Sequence, residues 1–424
     1  MTSRSAAAVA LVVLGAALIA VLAFTTPWSP SPAPPGGRTP VAVSPDFTPQ
    51  QLARENRFHR ELRPWQYGNI LIGLALTLTL GLTPFGARII ELVARPFGGG
   101  WAWQAGLGAL ALGLIGQAAS VPFAMRGEVI LRRYGLSTQT WGSWWVDTAK
   151  AWAIAAVLGS VAVLVFFAVV RAAPRWWWAW VAAGGAVLVF ALSFAYPVLF
   201  EPIFNKFTPM ADTSLRADLI ALADRDGVPV KEVLVADASR RTTALNAYVS
   251  GFGVSRRIVV YDTLLRDAPA AEVKLVVAHE LGHAKRGDVL YGTAIGALGV
   301  AAGVCLLYLL LGWAPLLRQA AVTDLRDPRS LALLLAIVSV IGLVAMPVQN
   351  LISRRIEARA DANALELTGD PATFIQMQRR LSVQNLSDLD PNPFVYAVFS
   401  SHPTGPERIA QARDYAKRES VKVP

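Results

Sequence analysis

Charged residues, cysteine and histidine are all scarce in this 424-residue chain. Only 16% of its residues are charged, against about 25% in an ordinary soluble domain, whereas 54% are hydrophobic. The one cysteine, Cys305, lies inside an apolar run and can form no intramolecular disulfide. The fold therefore does not depend on disulfide bonds or on an oxidising compartment.

The hydrophobic residues are gathered into runs near the roughly 20 residues that a helix needs to cross about 30 Å of hydrocarbon. We predict seven membrane spans, at about 6–24, 68–92, 103–123, 151–170, 177–200, 290–313 and 331–349. The first is either a signal peptide or a retained signal anchor. No clear cleavage site precedes the Pro/Ser-rich linker Pro27–Pro35, which favours an anchor.

The net charge of +10 is distributed unevenly between the loops. If the N-terminus is outside, the inside loops carry the arginines of 54–63 and 126–133, and the outside loops keep only scattered arginines such as Arg95, Arg171 and Arg318. This bias predicts polar domains facing the cytoplasm, most simply at the plasma membrane. The tryptophans cluster at span ends, as in an interfacial belt, so nucleic acid is not an expected partner.

Two polar regions interrupt the apolar pattern. The first is predicted to hold a helix over Ser214–Asp226, strands near 233–235 and 258–261, and a helix over about Ala270–Lys285. The second is mostly helical, and neither is long enough to form a large core alone. The predicted organisation is an anchor with linker (1–66), spans two to five (67–206), a first polar segment (207–289), spans six and seven (290–349) and a C-terminal polar segment (350–424).

The segment His279-Glu280-Leu281-Gly282-His283 carries the sharpest chemical signal. On a helix, residues i and i+4 share one face, so both imidazoles can reach one metal ion. Glu280 projects beside that face, where it can take a proton from an attacking water. Gly282 costs about 1 kcal/mol relative to alanine inside a helix, and we interpret it as a sign of close approach by another element.

Two histidines leave a catalytic zinc site incomplete, because such a site normally has three protein ligands and one open position. The other histidines, His59 and His402, lie outside any short extension of the motif, so a carboxylate from elsewhere is needed. Glu357 and Asp361 follow the last apolar run at i,i+4 spacing. By spacing alone they are either part of the site or a solvated helix face paired with neighbouring arginines.

Residues from about 126 to 409 resemble the type I CAAX prenyl protease family, membrane-embedded zinc endopeptidases with a wide intramembrane chamber. Six blocks carry the resemblance in family order: Arg133-Tyr134-Gly135-Leu136-Ser137 with Trp141 and Asp147, Ile203-Phe204-Asn205-Lys206-Phe207-Thr208-Pro209, Asn246-Ala247-Tyr248, the HELGH motif, Ser353-Arg354 through Asp361, and Ser401-His402-Pro403. The resemblance implies a mostly α, polytopic membrane protein with a gluzincin-like catalytic lobe containing a small β-sheet.

The resemblance also implies roles for single residues. Glu357 would be the third zinc ligand, and Asp361 would orient a ligand imidazole. His402 would donate to the oxyanion formed when water attacks the peptide carbonyl, although by itself it is a lone histidine before a proline. Arg354 would pair with a substrate carboxylate or else with Asp361 or Glu357.

Asn246-Ala247-Tyr248 precedes a Gly-Phe-Gly turn and is predicted to be a strand. The resemblance suggests that an extended substrate binds along its edge through backbone hydrogen bonds. The alternative is an ordinary hairpin strand.

The motif predicts a membrane endopeptidase with one zinc ion per chain, and the resemblance implies that it removes C-terminal tripeptides from prenylated peptides or cleaves hydrophobic peptides. A membrane-protein quality-control protease is the alternative, because no motif shows that an isoprenoid is recognised. A transporter with a structural metal is disfavoured, since the spans are nearly free of charges. The expected partners are the peptide substrate and the bilayer, without an obligate protein partner.

Overall fold

The structure of the chain, a computed structural model, describes residues 1–424 apart from the side chain of Val254. Its α-helices are α1 (Ser3–Thr25), α2 (Pro49–Gly81), α3 (Pro84–Ala94), α4 (Trp101–Arg133), α5 (Trp141–Ala172), α6 (Trp177–Ala195), α7 (Glu201–Phe204), α8 (Ser214–Arg225), α9 (Asp262–Asp267), α10 (Ala270–Arg286), α11 (Asp288–Leu311), α12 (Ala314–Gln319), α13 (Leu331–Thr368), α14 (Pro371–Gln384), α15 (Pro393–Phe399) and α16 (Gly405–Arg418). Its strands are β1 (Phe207–Pro209), β2 (Glu232–Ala236), β3 (Ala247–Ser250) and β4 (Arg257–Tyr261).

The apolar runs fold as long helices. Among the described residues, six helices are long and apolar enough to cross a membrane, and a bent pair makes a seventh span if it crosses as one. The six are Ser3–Thr25, Trp101–Arg133, Trp141–Ala172, Trp177–Phe204, Asp288–Leu311 and Pro328–Thr368. The prediction of a mostly α, polytopic fold with about seven spans is confirmed in this form.

The second predicted span, about 68–92, is a bent pair of helices in the structure. α2 and the segment Pro84–Phe97 meet at an angle of 77°. The Thr83 hydroxyl caps α3, and Pro84 occupies the first turn, where its missing N–H leaves no hydrogen bond unmade. Gly86 lies so close to α13 that an added Cβ would overlap Ala332. The span therefore contains a capped bend that packs against α13.

The first span packs against the bundle along α11. The Ser3 hydroxyl accepts hydrogen bonds from Trp178 Nε1 at 3.1 Å and from the Tyr308 hydroxyl at 3.0 Å. Ala7, one turn further, is fully buried. These contacts suit a retained helix, and its retention stays a prediction.

The four strands form one mixed sheet in the order β1-β2-β4-β3. β2 and β4 pair in parallel, whereas β1 and β3 pair antiparallel at the two edges. Ile258, Val259 and Val260 of β4 are fully buried, as expected for a central strand covered on both faces. None of the described residues extends the sheet beyond β3, so this strand has a free edge.

One hydrophobic core joins the two polar segments. It includes Leu219 and Leu281 from the first segment, Phe374 and Ile409 from the second, and Phe47 from the linker after α1. Burying each large apolar side chain contributes about 1.5–3 kcal/mol. This shared core holds α10, which carries the histidine motif, beside α13, which carries Glu357.

Candidate metal centre

The histidine motif lies on α10, between an N-terminal proline and a C-terminal glycine. Pro269 precedes the first turn, and Gly287 ends the helix in the left-handed conformation with φ of 67°. Because His279 and His283 are about one turn apart, their ring centroids lie 4.8 Å apart and their Nε2 atoms 3.2 Å apart. Both imidazoles therefore point to one place.

Glu357 of α13 completes a three-residue cluster. Its Oε2 lies 3.3 Å from His279 Nε2, and its Oε1 lies 3.6 Å from His283 Nε2. One ligand atom from each of the three residues lies within 4.8 Å of the other two. The structure thus brings together the three residues predicted to hold the metal.

The two helices cross closely at Gly282. A Cβ added to Gly282 would lie 3.0 Å from Asn363 Cβ and 3.3 Å from Ala360 Cα. The close approach predicted from this glycine is therefore present, and the approaching element is α13. Since Ala360 lies about one turn after Glu357, the glycine lets the carboxylate reach the histidines.

The surroundings of the cluster favour a bound cation. His279 Nδ1 lies 2.9 Å from Asp361 Oδ1, and His283 Nδ1 lies 2.9 Å from Asp288 Oδ2, so that the Nε2 atom of each ring is directed towards the cluster. Glu357 Oε2 is buried, and the imidazoles of His279 and His402 lie near it, at 3.3 Å and 2.9 Å. Burial acts to lower the pKa of His279, but Asp361 and Glu357 outweigh it and raise this pKa to about 10. The site therefore stabilises positive charge, and its donors fit a metal ion.

Two arginines hold the orienting carboxylates. Arg408 Nε donates to Asp361 Oδ2 at 2.7 Å, and Arg359 pairs with Asp288. Our sequence reasoning missed Asp288 and both arginines. The available signal for Asp288 was its position five residues after His283. Arg408 had no local signal, because 47 residues separate it from Asp361.

A cleft of about 440 Å³ opens in front of the cluster. Glu280 lies partly buried in its wall, and burial raises the pKa of this carboxyl. His402, from the loop between α15 and α16, is mostly exposed, with its Nδ1 2.9 Å from Glu357 Oε2. Both residues therefore line the cleft beside the metal cluster.

The segment Asn246-Ala247-Tyr248 reaches the cleft at one end only. Leu245 and Asn246 line the cleft. Ala247 packs into the core of the lobe, whereas Tyr248 lies on the opposite face of the sheet, edge to face with Tyr261. The strand is an edge strand, and only its beginning is close to the metal cluster.

Arg354 lies beside the loop that carries His402. It donates to the backbone carbonyls of Tyr396, at 2.9 Å, and Ser400, and its guanidinium stacks 4.4 Å from the centroid of the Tyr396 ring. It therefore contacts neither acidic residue that we named as its alternative partner. Its contact with a substrate carboxylate stays a prediction.

Two protein-family models match successive parts of the chain. Peptidase family M48 matches residues 209–416, and the CAAX prenyl protease N-terminal region, with five membrane helices, matches residues 37–206. The uncharacterised metalloprotease YhfN of Bacillus subtilis is 31% identical over 303 residues, 71% of either chain. The CAAX prenyl protease 1 homolog of Arabidopsis thaliana is 31% identical over 309 residues, 69% of either chain.

A solved structure shares the whole fold. Ste24p of S. mikatae matches with a TM-score of 0.79 and covers 97% of this chain and 99% of its own, at 20% sequence identity. The profiles, the relatives and the His-His-Glu cluster thus agree with the expected resemblance. This chain belongs to peptidase family M48 and is a multi-pass membrane metalloprotease related to the CAAX prenyl proteases.

Proposed function

We propose that this protein is a zinc endopeptidase that removes C-terminal tripeptides from prenylated or otherwise hydrophobic peptides at the membrane. The observation that carries the proposal is the convergence of His279, His283 and Glu357 in a cleft that also holds Glu280. Relatives named CAAX prenyl protease 1, from Arabidopsis thaliana and Saccharomyces cerevisiae, support the substrate class.

Zinc is the metal that we propose for the cluster. Two neutral imidazoles, one carboxylate and an open position form a usual donor set of catalytic zinc sites. When bound, zinc would polarise the scissile carbonyl and lower the pKa of water at the site. With a metal at each Nε2, Asp361 and Asp288 would accept the Nδ1 protons of the two imidazoles and hold both rings directed inward.

Glu280 is the proposed general base and acid. It takes a proton from the attacking water and later delivers it to the leaving amine. Burial raises the pKa of its carboxyl above the ordinary value, which brings it closer to the working pH and makes both transfers efficient. We assign His402, exposed at the mouth of the cleft, the hydrogen bond to the oxyanion.

The substrate is proposed to bind as an added strand along β3, beginning at Asn246. Main-chain hydrogen bonds to Ala247 and beyond would hold a peptide of any sequence, while Tyr248 supports the strand from its other face. Arg354 is proposed to contribute to substrate binding, either directly or by holding the loop before His402.

The site lies on a helix that also crosses the membrane. α13 has 38 residues and is therefore about 57 Å long, against about 30 Å of hydrocarbon. Its last turns, which carry Glu357 and Asp361, emerge from the bilayer into the catalytic lobe. A peptide anchored in lipid by a hydrophobic group would reach this cleft without leaving the membrane surface, which we propose to be the cytoplasmic side of the plasma membrane.

The test is hydrolysis of a farnesylated CAAX peptide and its unprenylated twin by purified protein in detergent. We expect cleavage of the prenylated peptide three residues from its C-terminus. Glu280→Gln should lower kcat by about 10²–10⁴-fold while zinc stays bound, because the base is lost and the ligands are not. Lys274→Gln, on an exposed part of the same helix, is the matched control and should keep wild-type activity.

The other possible outcomes would each change one part of the proposal. Equal cleavage of both peptides would move the substrate class to hydrophobic proteins in general, as in membrane quality control. Near-normal turnover by Glu280→Gln would remove Glu280 from the proposed role. Cleavage of neither peptide by zinc-loaded protein would contradict the proposed substrate.

A further inference from the structure

A basic cavity of about 730 Å³ opens at the end of the bundle that lies away from the metal cluster. α13 begins beside this cavity and carries Glu357 about 26 residues later, which corresponds to roughly 39 Å of helix. The beginning of α4, the end of α5 and the turn before α13 form the walls. Four arginines line the cavity: Arg95, Arg171, Arg326 and Arg329.

The acidic residues of this cavity are already paired with two of its arginines. Asp324 pairs with Arg326, and Asp327 pairs with Arg329 at 2.6 Å. The third carboxylate, that of Glu91, lies 3.4 Å from Arg329. The other two arginines have no carboxylate partner among the described residues of the cavity. The cavity therefore carries two positive charges that no acidic group in it balances.

These two residues, Arg95 and Arg171, belong to the few arginines of the predicted outside loops. Arg171 donates to the C=O of Arg326 at 3.4 Å, and its guanidinium lies 5.4 Å from the centroid of the Trp101 ring. A guanidinium has five N–H donors, so most of those of Arg171 remain available to a ligand. Arginine pairs well with phosphate oxygens, and tryptophan at a span end marks the depth of the lipid headgroups. A phosphate group at the membrane surface thus suits this cavity.

An apolar groove of about 230 Å³ lies further along the same three helices. On α4, the basic cavity includes Gln104, and the groove extends from Ala109 to Gln117. On α5, the groove extends from Trp152 to Val163, and the basic cavity follows at Arg171. The groove therefore covers about 12–16 Å of helix, close to one leaflet of a hydrocarbon core that is about 30 Å thick.

Small residues leave this groove unfilled. Gly113 of α4 and Gly159 of α5 both line it, and a Cβ added to either would meet no described atom within 4 Å. Leu114 and Leu335, at its walls, are 52% and 39% exposed. The groove is therefore open at the surface of the bundle and can admit a flexible apolar chain.

We propose that the cavity and the groove form one site for an anionic phospholipid of the leaflet away from the catalytic lobe. The phosphate lies between Arg95 and Arg171, and one acyl chain follows the groove between α4, α5 and α13. The unbalanced positive charge selects an anionic headgroup, and the groove selects a lipid over a free phosphate. This inference does not depend on the proposed substrate or on catalysis.

The experiment is native mass spectrometry of the full-length, zinc-loaded protein, delipidated in detergent and titrated with single lipids. The probe is dioleoylphosphatidylglycerol. We expect it to bind about tenfold more tightly than dioleoylphosphatidylcholine, which lacks the net negative charge. It should also bind about tenfold more tightly than dihexanoylphosphatidylglycerol, whose chains bury fewer methylene groups, and glycerol phosphate should bind more weakly still.

Two variants test the two halves of the site separately. The double variant Arg95→Gln and Arg171→Gln should weaken binding of dioleoylphosphatidylglycerol about tenfold, to the level of phosphatidylcholine. Its control is Arg318→Gln, because Arg318 lies on α12 and lines neither cavity. Gly159→Leu fills the groove and should abolish the preference for long chains without changing the affinity for dihexanoylphosphatidylglycerol. Its control is Gly303→Leu in α11, where an added Cβ also meets no described atom within 4 Å.

Several results would overturn the inference. Equal affinity for the anionic and the zwitterionic lipid would remove the role of the arginines, as would an unchanged affinity in the double arginine variant. Glycerol phosphate that binds as tightly as the lipid would show a site for free phosphate, and a Gly159→Leu protein that keeps its preference for long chains would remove the groove. Circular dichroism and zinc content identify any variant that does not fold, and the other variant then decides.

Discussion

Each imidazole of the metal cluster has its own carboxylate, and each carboxylate has its own arginine. His279 is held by Asp361 and Arg408, and His283 by Asp288 with Arg359. Asp361 and Arg408 lie on α13 and α16, whereas Asp288 begins α11 and Arg359 lies on α13. This duplication orients both Nε2 atoms, although only one of the two carboxylates is buried completely.

We expect Asp288→Asn to lower the metal affinity about 10–100-fold, because His283 loses the group that orients its ring. The measurement is competition for zinc with a chelator of known affinity. Asp212→Asn is the matched control, since the Asp212 side chain is 92% exposed. Equal affinity in Asp288→Asn and wild type would show that this carboxylate does not support the site.

At the scale of elements, the crossing of α10 and α13 assembles the cluster. Gly282 is the contact point, and the nearest atoms of α13 belong to Ala360 and Asn363. The two histidines lie on α10, and Glu357 lies on α13. Their separation therefore depends on how closely the two helices pack.

Gly282→Val should push the helices apart, destabilise the protein by about 1–3 kcal/mol and reduce bound zinc. Thermal unfolding in detergent and metal content measure the two effects. Gly292→Val in α11 is the control, because a Cβ there meets nothing within 4 Å. A Gly282→Val protein with full zinc content would contradict the role of this crossing.

The linker after α1 is tied to the catalytic lobe through Asp46. This side chain is fully buried and bonds Arg413 at 2.8 Å and Arg379 at 3.1 Å. Burial acts to raise the pKa of Asp46, but the two arginines outweigh it and hold this pKa below the usual value. The stabilisation is therefore present above the unfolded pKa of about 4 and is lost as the pH falls through the folded pKa.

Asp46→Asn should lower the free energy of unfolding by about 2–4 kcal/mol at neutral pH, because two half-buried arginines lose their partner. The difference from wild type should shrink below about pH 4. Thermal unfolding across pH checks both statements. A difference that is constant with pH would show that the lost charge is not the cause.

At the scale of the whole molecule, the catalytic lobe sits at one end of the bundle. The loop after α4 is joined to it, with Ser137 paired to Thr242 and the Thr138 hydroxyl donating to the C=O of Ser239 at 2.8 Å. The opposite end of the bundle carries the loop between α3 and α4. The positive-inside bias then predicts that the lobe faces the cytoplasm.

Cysteine labelling tests this orientation. Cys305 is buried, so the wild-type background should be low. An impermeant maleimide on intact cells should label Arg95→Cys, between α3 and α4, and should label Lys417→Cys, on α16, only after lysis. Labelling of Lys417→Cys in intact cells would place the catalytic lobe outside.

Local rules account for what was predicted from sequence. The apolar runs, the helix over Ala270–Arg286 and the shared face of His279 and His283 all follow from spacing along one helix. Contacts between residues far apart in the sequence cannot be predicted from spacing, because they depend on how the folded helices and strands pack against one another. Asp361, 82 residues from His279, was named through a family resemblance and not through spacing.

The residues that were missed have this property in common. Arg408 meets Asp361, and Arg359 meets Asp288, only after distant parts of the chain have packed together. The 77° bend before Pro84 likewise depends on packing against α13. Spacing along the sequence thus determined the helices and the histidine pair, because both follow from the period of one helix. The meeting of Glu357 with the histidines and the position of the supporting carboxylate Asp288 were decided by tertiary packing, because they depend on how separate helices cross.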